Sequence, residues 1–442
     1  MSMSKPALAC ALTAAVLAAT AVAEQRIGIA LALALLLTIA AGVLGAGRRA
    51  SLVFSGLAVA LAVQPLLRDA GWVVAIDVVG ALVAGAAAVG HVGVWAGVRR
   101  ALVAPWRVVG GTAVVVRTVG TLRPAAQEGQ LRPIARGLVL AAALTIIFGA
   151  LFAASDSAFA QLADDTVSVD FDTGTLVWRV VLGLAFLGGA GALYRAVERP
   201  VPGAARRPRW WPSRTELVLP LAAVVLLFAV FVAVQLRVLF GGAGYVQATT
   251  GLGYGDYARR GFAQLLVVAA LTLGVIAVAA RSRDRTVRGL LGALCVLTLV
   301  VLLSAHHRLD LVEVAYGSTR VRYAGHAVVV WIAAVFALVL AGGIRPAIGR
   351  HLPRLVTGLT LAGILAFTLL NPDRRVAESA VHRAAAGKTV DTHYLSRLSA
   401  DALPAAQRLP PREQSIVVGA LRARLARPDG LAGANVARAG AR

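Results

Sequence analysis

Long apolar runs fill the first 370 residues of this chain and constrain its fold more than any other feature. An α-helix needs about 20 mostly apolar residues to cross the hydrocarbon core of a bilayer. Hydrophobic residues make up 59% of the 442 residues and charged residues only 15%, whereas a soluble domain is about half apolar and a quarter charged. The sequence therefore predicts an all-α polytopic membrane protein.

Eleven of these runs are predicted to be transmembrane helices. They lie at about 7–23, 27–46, 51–67, 71–97, 137–154, 176–194, 215–236, 261–280, 288–303, 324–343 and 352–370. The first run also fits a signal peptide, because Lys5 precedes it and AVA at 21–23 suits a cleavage site. Residues 101–120 hold two arginines, Arg107 and Arg117, with only nine residues between them, which predicts an interfacial segment instead of a span.

Basic residues are distributed unevenly between alternate loops. With a cytoplasmic N-terminus, the inside segments hold 23 Lys and Arg, and the outside segments before residue 371 hold nine. The loop at 155–175 carries five Asp. Because cytoplasmic loops are enriched in Lys and Arg, the bias predicts a plasma-membrane protein with its N-terminus inside, and eleven spans then place the C-terminal tail outside.

The chain becomes polar and helix-patterned after residue 370. Asp373 and Asp391 suit helix starts, and Tyr394 is the only aromatic residue beyond that point. The tail therefore has little material for a core of its own, which predicts packing against the membrane region or a partner. The predicted divisions are a four-span region with a basic cytoplasmic linker at 1–136, a core of about seven spans at 137–370, and a soluble helical tail at 371–442.

Four short phrases follow one another after residue 150. They comprise Phe152, Asp156 and Phe159; Tyr257, Ala258, Arg260, Gly261 and Phe262; Tyr316, Gly317, Thr319 and Arg322; and Asn371, Pro372 and Asp373 followed by Asp391, Tyr394, Leu395, Leu398, Ser399, Asp401, Ala402 and Pro404. Their order resembles a bacterial integral-membrane family described as domain of unknown function 4153/4173, over about 150–405. Ala380 stands where that family often carries an asparagine. The resemblance implies a helical membrane fold and lends no activity.

On the predicted topology the four phrases lie outside, where they could form one external face. The candidate functional residues of this face are Asp156, Tyr257, Arg260, Arg308, Tyr316, Thr319, Arg322, Asp391, Tyr394 and Asp401. Arginine binds phosphate through a planar fork of donors, so an anionic lipid or a polyprenyl phosphate is a candidate ligand. The alternative is that these arginines pair with nearby acids and fix the loops.

Asp77 is a separate candidate because it lies inside the fourth predicted span, where a carboxylate is costly and often functional. The alternatives are that Asp77 reaches water near the outer end of the span or pairs with Arg68. The HHRLDLVE stretch at 306–313 places metal-ligand types on one helix face, but no further His is placed to complete a site, and we predict no metal and no other cofactor. Polar residues expected to form interhelical hydrogen bonds are Gln64, Gln235 and Gln264.

Three function classes remain open. The first is a non-catalytic sensing or scaffolding component of the envelope, with the lipid bilayer and an envelope protein bound through the tail as partners. The second is a transporter or lipid flippase, and the third is a membrane-embedded transferase with Asp156 as its base. No catalytic constellation stands out, which favours the first. Nucleic-acid binding is excluded because the arginines punctuate apolar runs instead of forming one basic surface, despite a net charge of +23.

Overall fold

A computed structural model describes residues 27–46, 50–89, 131–156, 213–250, 262–280, 284–426 and 429–441, with a few isolated positions between them. No strand occurs in this part of the chain. The described helices are α1 (Ile29–Ala46), α2 (Leu52–Ala62), α3 (Gln64–Leu67), α4 (Gly71–Ala88), α5 (Leu131–Ser155), α6 (Arg214–Thr250), α7 (Phe262–Ala279), α8 (Arg285–Tyr316), α9 (Arg320–Ile344), α10 (Pro346–Leu369), α11 (Pro372–Ala385), α12 (Thr392–Leu395), α13 (Leu403–Ala406), α14 (Pro411–Leu425) and α15 (Val436–Ala439), with a 3₁₀ turn at Ala400–Ala402.

Six of the described helices are long and apolar enough to cross a membrane. The six segments are Gly71–Ala88, Pro133–Ala153, Arg214–Gln235, Arg285–Tyr316, Arg320–Ile344 and Pro346–Leu369. Three shorter apolar segments, at Ile29–Leu44, Leu52–Leu67 and Gln264–Ala279, coincide with three further predicted spans. The predicted runs at 7–23 and 176–194 and the predicted interfacial segment lie outside the described residues. The helical class is confirmed, whereas the number eleven stays a prediction.

The chain divides into two compact units, and the predicted domain boundaries stay a prediction. The terminal unit comprises residues 1–98, 313–331 and 353–442, and the central unit comprises residues 99–312 and 332–352. Each unit is described below by itself.

In the terminal unit, α1, α2 and α4 pack with the second half of α10 around Leu61, Ala81 and Leu361, all of them buried. α4 runs antiparallel to this part of α10, because Trp72 packs edge-on against Phe367 with ring centroids 5.7 Å apart and Gly80, later in α4, lies beside the earlier residue Ile364. The start of α4 and the end of α10 therefore lie together.

The C-terminal segment has a small core of its own, which the sequence analysis did not expect. Its buried members are mostly Ala, Leu and Val from α11 to α15, and Tyr394 packs against them. Many small aliphatic side chains replace the missing aromatic residues here, since buried apolar area and not ring content stabilises a core. The last residues also reach α1, where Ile29 and Ala30 donate main-chain hydrogen bonds to the carbonyls of Ala434 and Ala432 at 3.0 Å each.

This contact at the start of α1 explains why residue 28 is a glycine. A Cβ atom at Gly28 would lie 2.6 Å from the carbonyl oxygen of Ala434, so only glycine allows the two backbones to approach so closely. The main-chain bonds satisfy amides at the first turn of α1, which have no partner within the helix.

Candidate functional site

The Asn-Pro-Asp phrase turns the chain from α10 into α11. Asn371 adopts the left-handed conformation with φ of 56°, and its side chain accepts a hydrogen bond from the amide of Arg374 as an N-cap. Pro372 occupies the first turn, where its missing N–H costs nothing. This turn places Asp373 in the first turn of α11, fully buried.

Four donors converge on the Asp373 carboxylate. Arg320 at the start of α9 donates from Nε to Oδ1 at 2.7 Å and from Nη2 to Oδ2 at 2.5 Å, and the Trp72 indole donates at 3.2 Å. The Ser399 amide donates at 2.8 Å. Burial opposes ionisation of Asp373, but the Arg320 pair and the Ser399 bond outweigh it and lower its pKa. The tail is thus tied to the starts of α4 and α9 by a buried carboxylate.

Asp401 makes a second connection, to the turn before α4. Its Oδ2 accepts hydrogen bonds from the amides of Asp69 at 2.8 Å and Ala70 at 3.0 Å, and from the Ser399 hydroxyl at 3.0 Å. Burial raises the pKa of Asp401, although these hydrogen bonds and Arg68 oppose the rise. The carboxylate therefore acts as a buried acceptor that fixes the turn before α4.

Asp69, in the turn before α4, also binds the tail and completes the connection between the tail and this turn. Its carboxylate accepts from the Ala400 amide at 2.9 Å and from Arg438 Nη1 at 2.5 Å. Arg438 is 3% exposed and also donates to the carbonyls of Ile27 and Gly433. Neither Asp69 nor Arg438 was predicted as a site residue, because neither belongs to a phrase. The available signal was an Asp placed directly before a span.

Asp391 and Tyr394, the two remaining candidates in the tail, bind main-chain groups and hold them in place. Asp391 caps α12 by accepting from the Tyr394 amide at 2.8 Å. The Tyr394 hydroxyl accepts from the Arg320 amide at 2.7 Å, which satisfies a donor at the start of α9. We call Asp69, Arg320, Asp373, Tyr394, Ser399, Asp401 and Arg438 the tail clamp.

The Tyr-Gly-Ser-Thr phrase connects α8 to α9. Gly317 adopts φ of 82°, a conformation that suits glycine at the end of a helix. Arg322 donates to the carbonyls of Tyr316 and Gly317, and Arg383 donates to those of Val314 and Ala315. Two arginines thus bind the last carbonyls of α8, where cations are favoured by the helix dipole.

Thr319 supports the same turn from the other side. Its hydroxyl accepts from the Arg322 amide at 3.3 Å, so it occupies the N-cap position of α9. Tyr316, Thr319 and Arg322 therefore hold the geometry of a helix connection.

This arrangement predicts that Arg322→Ala will disturb folding more than Arg345→Ala. Arg345 is exposed, so its removal deletes a surface charge, whereas loss of Arg322 removes donors from two helix-end carbonyls. We expect Arg322→Ala to lower stability by about 1 kcal/mol and Arg345→Ala to stay within about 0.5 kcal/mol of the parent. Thermal unfolding of both variants in the same detergent measures the difference, and equal midpoints would contradict a special role for Arg322.

In the central unit, Asp156 and Arg308 form a buried ion pair. The Asp156 side chain is 0% exposed and that of Arg308 5%. Gln235 donates from Nε2 to Asp156 at 2.5 Å, and its Oε1 accepts from Arg308 Nη2 at 2.7 Å and from Ser304 at 2.9 Å. The predicted interhelical role of Gln235 is confirmed, whereas Gln64 donates to Ala60 within its own helical region.

Aromatic packing holds this ion pair in place. Phe152 and Phe231 stack with centroids 3.9 Å apart, and the Phe159 amide donates to Asp156 Oδ1 at 3.1 Å. The phrase Phe152–Asp156–Phe159 thus joins the end of α5 to α6 and positions the carboxylate toward Arg308.

Asp77 is fully buried inside α4 of the terminal unit. Its Oδ1 accepts from the Thr368 hydroxyl at 2.7 Å, and Oδ2 has no hydrogen-bond partner among the described residues. Arg68 instead donates to the Leu369 carbonyl at 3.0 Å and lies 3.9 Å from Asp401. Arg68 and Asp77 therefore form no direct salt bridge, although the charge of Arg68 still acts on Asp77.

The structure therefore brings the sequence candidates together in small groups. Asp401 and Tyr394 belong to the tail clamp, and Asp156 pairs with Arg308. Tyr316, Thr319 and Arg322 form the connection between α8 and α9, Asp391 caps α12, and Asp77 lies within α4. Tyr257 and Arg260 lie outside the described residues. A single external face containing all of them stays a prediction.

Comparison with known proteins identifies a family and no closer relative. The chain matches no curated protein and no solved structure. The model of one family, described as Domain of unknown function (DUF4153), matches residues 55–409. This range covers all four phrases and most of the tail clamp, and it begins about a hundred residues before the phrases do. By this match the chain belongs to the DUF4153 family.

Proposed function

We propose that this protein is a multi-pass plasma-membrane component of the cell envelope with a non-catalytic scaffolding or sensing role, and that its C-terminal segment is the docking domain. The observation that carries the proposal is the set of hydrogen bonds that Asp373 makes. A fully buried carboxylate that binds α4, α9 and the tail at once fixes the small C-terminal core at the ends of predicted spans. Such an arrangement presents a folded surface at a fixed position, which suits recognition of an envelope partner.

The chemistry of the candidate residues also favours a non-catalytic role. A general base must be able to reach the proton that it removes. Asp156, the candidate base of a transferase, is enclosed by Arg308, Gln235 and the Phe159 amide, and Asp373 and Asp401 are buried acceptors. Their hydrogen bonds hold helices in place.

We further propose the predicted orientation, with eleven spans, a cytoplasmic N-terminus and an external tail. The start of α4, the start of α9 and the end of α10 lie together in the terminal unit, which supports an even number of crossings between residues 71 and 370. α5 and α6 pack in the same direction, since Phe148 meets Phe228 and Asp156 meets Gln235. If both cross the membrane, the chain between them has to return once, as the predicted span at 176–194 would do.

A transporter or flippase is the second candidate, and Asp77 is the observation that favours it. A buried carboxylate within a span, with one oxygen that has no hydrogen-bond partner among the described residues, can carry a proton between two environments. Asp77→Asn separates the two proposals, because it removes proton exchange and leaves the tail clamp untouched.

Complementation of a deletion strain tests the proposed function. Asp373→Ala, which opens the tail clamp, should fail to restore the parental phenotype at equal membrane abundance, whereas Asp77→Asn and the surface variant Arg345→Ala should restore it. Failure of Asp77→Asn together with full activity of Asp373→Ala would contradict the docking role and favour transport.

A further inference from the structure

A cavity of about 380 Å³ lies in the terminal unit beside the tail clamp. Its wall includes Trp72 from α4, Arg320 from α9, and Arg397, Arg424 and Arg438 from the tail, with Asp69 as the lining carboxylate. This volume falls within the range of about 300–1,000 Å³ that small-ligand sites occupy.

The arginines of the wall differ in their partners and in their exposure. Arg320 is engaged by Asp373, and Arg438 by Asp69 and Asp429. Arg424 donates from Nη2 to the carbonyls of Ser396 and Leu398, both at 2.6 Å. Arg397 and Arg424 are the two exposed arginines of the wall, so both can reach a molecule in the cavity.

The wall has an excess of positive charge. It carries four arginines and one carboxylate, that of Asp69. A cleft lined mostly by one sign of charge attracts the opposite sign, so an anion in the cavity would reduce the repulsion between the arginines. Two guanidinium groups that face one space can also bind two edges of the same phosphate.

We propose that this cavity binds the phosphate of a phosphomonoester or diphosphate, with Arg397 and Arg424 as its ligands. The inference builds on the proposed function, because it names the anion that a sensing or docking domain would recognise. Trp72 lies at the predicted end of a span, the depth at which tryptophan meets lipid headgroups. The same chemistry is offered by a lipid phosphate and by a soluble one.

The test uses the purified full-length protein in lipid nanodiscs. Inorganic pyrophosphate is titrated against nanodiscs of phosphatidylcholine, and binding is followed by calorimetry and by the shift in melting temperature. We expect saturable binding by the parent protein and at least a tenfold loss of affinity in Arg424→Gln and in Arg397→Gln. Arg412→Gln, which removes an exposed tail charge away from the cavity, should bind as the parent does.

Two further arms distinguish the source of the phosphate. If nanodiscs with a tenth of phosphatidic acid abolish pyrophosphate binding in the parent, the natural ligand is a lipid phosphate. Unchanged binding in those nanodiscs indicates a soluble phosphate. Absence of pyrophosphate binding combined with no melting shift from phosphatidic acid would overturn the proposal, as would an equal loss in Arg412→Gln.

Arg397→Gln protects the test against misfolding, because Arg397 is exposed and Arg424 holds two carbonyls. Loss of binding in Arg397→Gln with an unchanged melting temperature supports the site directly. If binding fails while Asp373→Ala still fails to complement, the anion site is wrong and the docking role stands.

Discussion

Asp373→Ala should lower the free energy of unfolding by about 3 kcal/mol, because breaking a buried ion pair leaves a charge without compensation. Arg320 would lose both carboxylate bonds, and the Trp72 indole and the Ser399 amide would lose their acceptor. Since Arg320 keeps 31% side-chain exposure, water can solvate part of its charge, and we place the loss at the lower end of the usual range. Thermal unfolding in detergent, with the tail followed by limited proteolysis, measures the effect.

Asp391→Ala is the matched control for this prediction. Asp391 is also a tail aspartate of the family phrase, but it is exposed and only caps α12, so its loss should cost about 1 kcal/mol. Tail cleavage should accelerate strongly in Asp373→Ala and little in Asp391→Ala. Similar melting temperatures and cleavage rates in the two variants would mean that the tail is not held by Asp373.

Arg308→Leu should have the largest effect in the central unit. It leaves Asp156 and Gln235 in a buried environment without their cation, and removal of one partner from a buried pair costs about 3–5 kcal/mol. His307→Ala is the control, since His307 is the exposed neighbour of Arg308 on the same helix. The melting temperature and the yield of monodisperse protein report the loss.

The double variant Asp156→Leu/Arg308→Leu sharpens this test. When both charges are replaced by apolar groups of similar size, no buried charge remains, and such replacements are often neutral or stabilising. We expect the double variant to be more stable than Arg308→Leu, with a coupling energy of at least 1 kcal/mol. Additive losses would show that Asp156 and Arg308 act independently.

Much of the local structure follows from the sequence. Apolar runs of about 20 residues predict helices because a helix satisfies its own backbone groups in lipid. Asp373 and Asp391 were expected at helix starts, and both lie there. Asp391 caps α12 by accepting from a free amide, whereas Asp373 lies in the first turn of α11, which Asn371 caps. Asn371 and Gly317 occupy left-handed positions that their residue types favour.

The pairs between residues far apart in the chain could not be predicted from the sequence. Asp401 binds the turn before α4, some 330 positions away, and nothing in a helical pattern predicts which turn a buried carboxylate will meet. Arg438 was missed because an arginine near a chain end ordinarily lies in solvent, whereas here it is enclosed by carbonyls and Asp69. Arg308 pairs with an acid, as the alternative interpretation expects, whereas Arg322 fixes a helix connection through carbonyl groups.

The small tail core shows a different limit of prediction from the sequence. A single aromatic residue, Tyr394, suggested too little apolar area, but the buried members of the cluster around Val376, Leu398 and Leu421 are all aliphatic. Counting ring side chains underestimates a helical segment that is rich in alanine, because alanines let helices approach closely and bury their backbone.

The position of the tail is best tested by labelling a cysteine at residue 388 in intact cells. Lys388 is exposed, whereas neighbouring Val390 packs against the tail core and is a poorer site. The two native cysteines, Cys10 and Cys295, are first replaced by serine and alanine. Arg206→Cys, in the predicted cytoplasmic loop between the spans at 176–194 and 215–236, is the control. A maleimide that cannot cross the membrane should react with Lys388→Cys in intact cells and with Arg206→Cys only after lysis. Reaction at position 388 only after lysis would place the tail inside the cell and contradict the account.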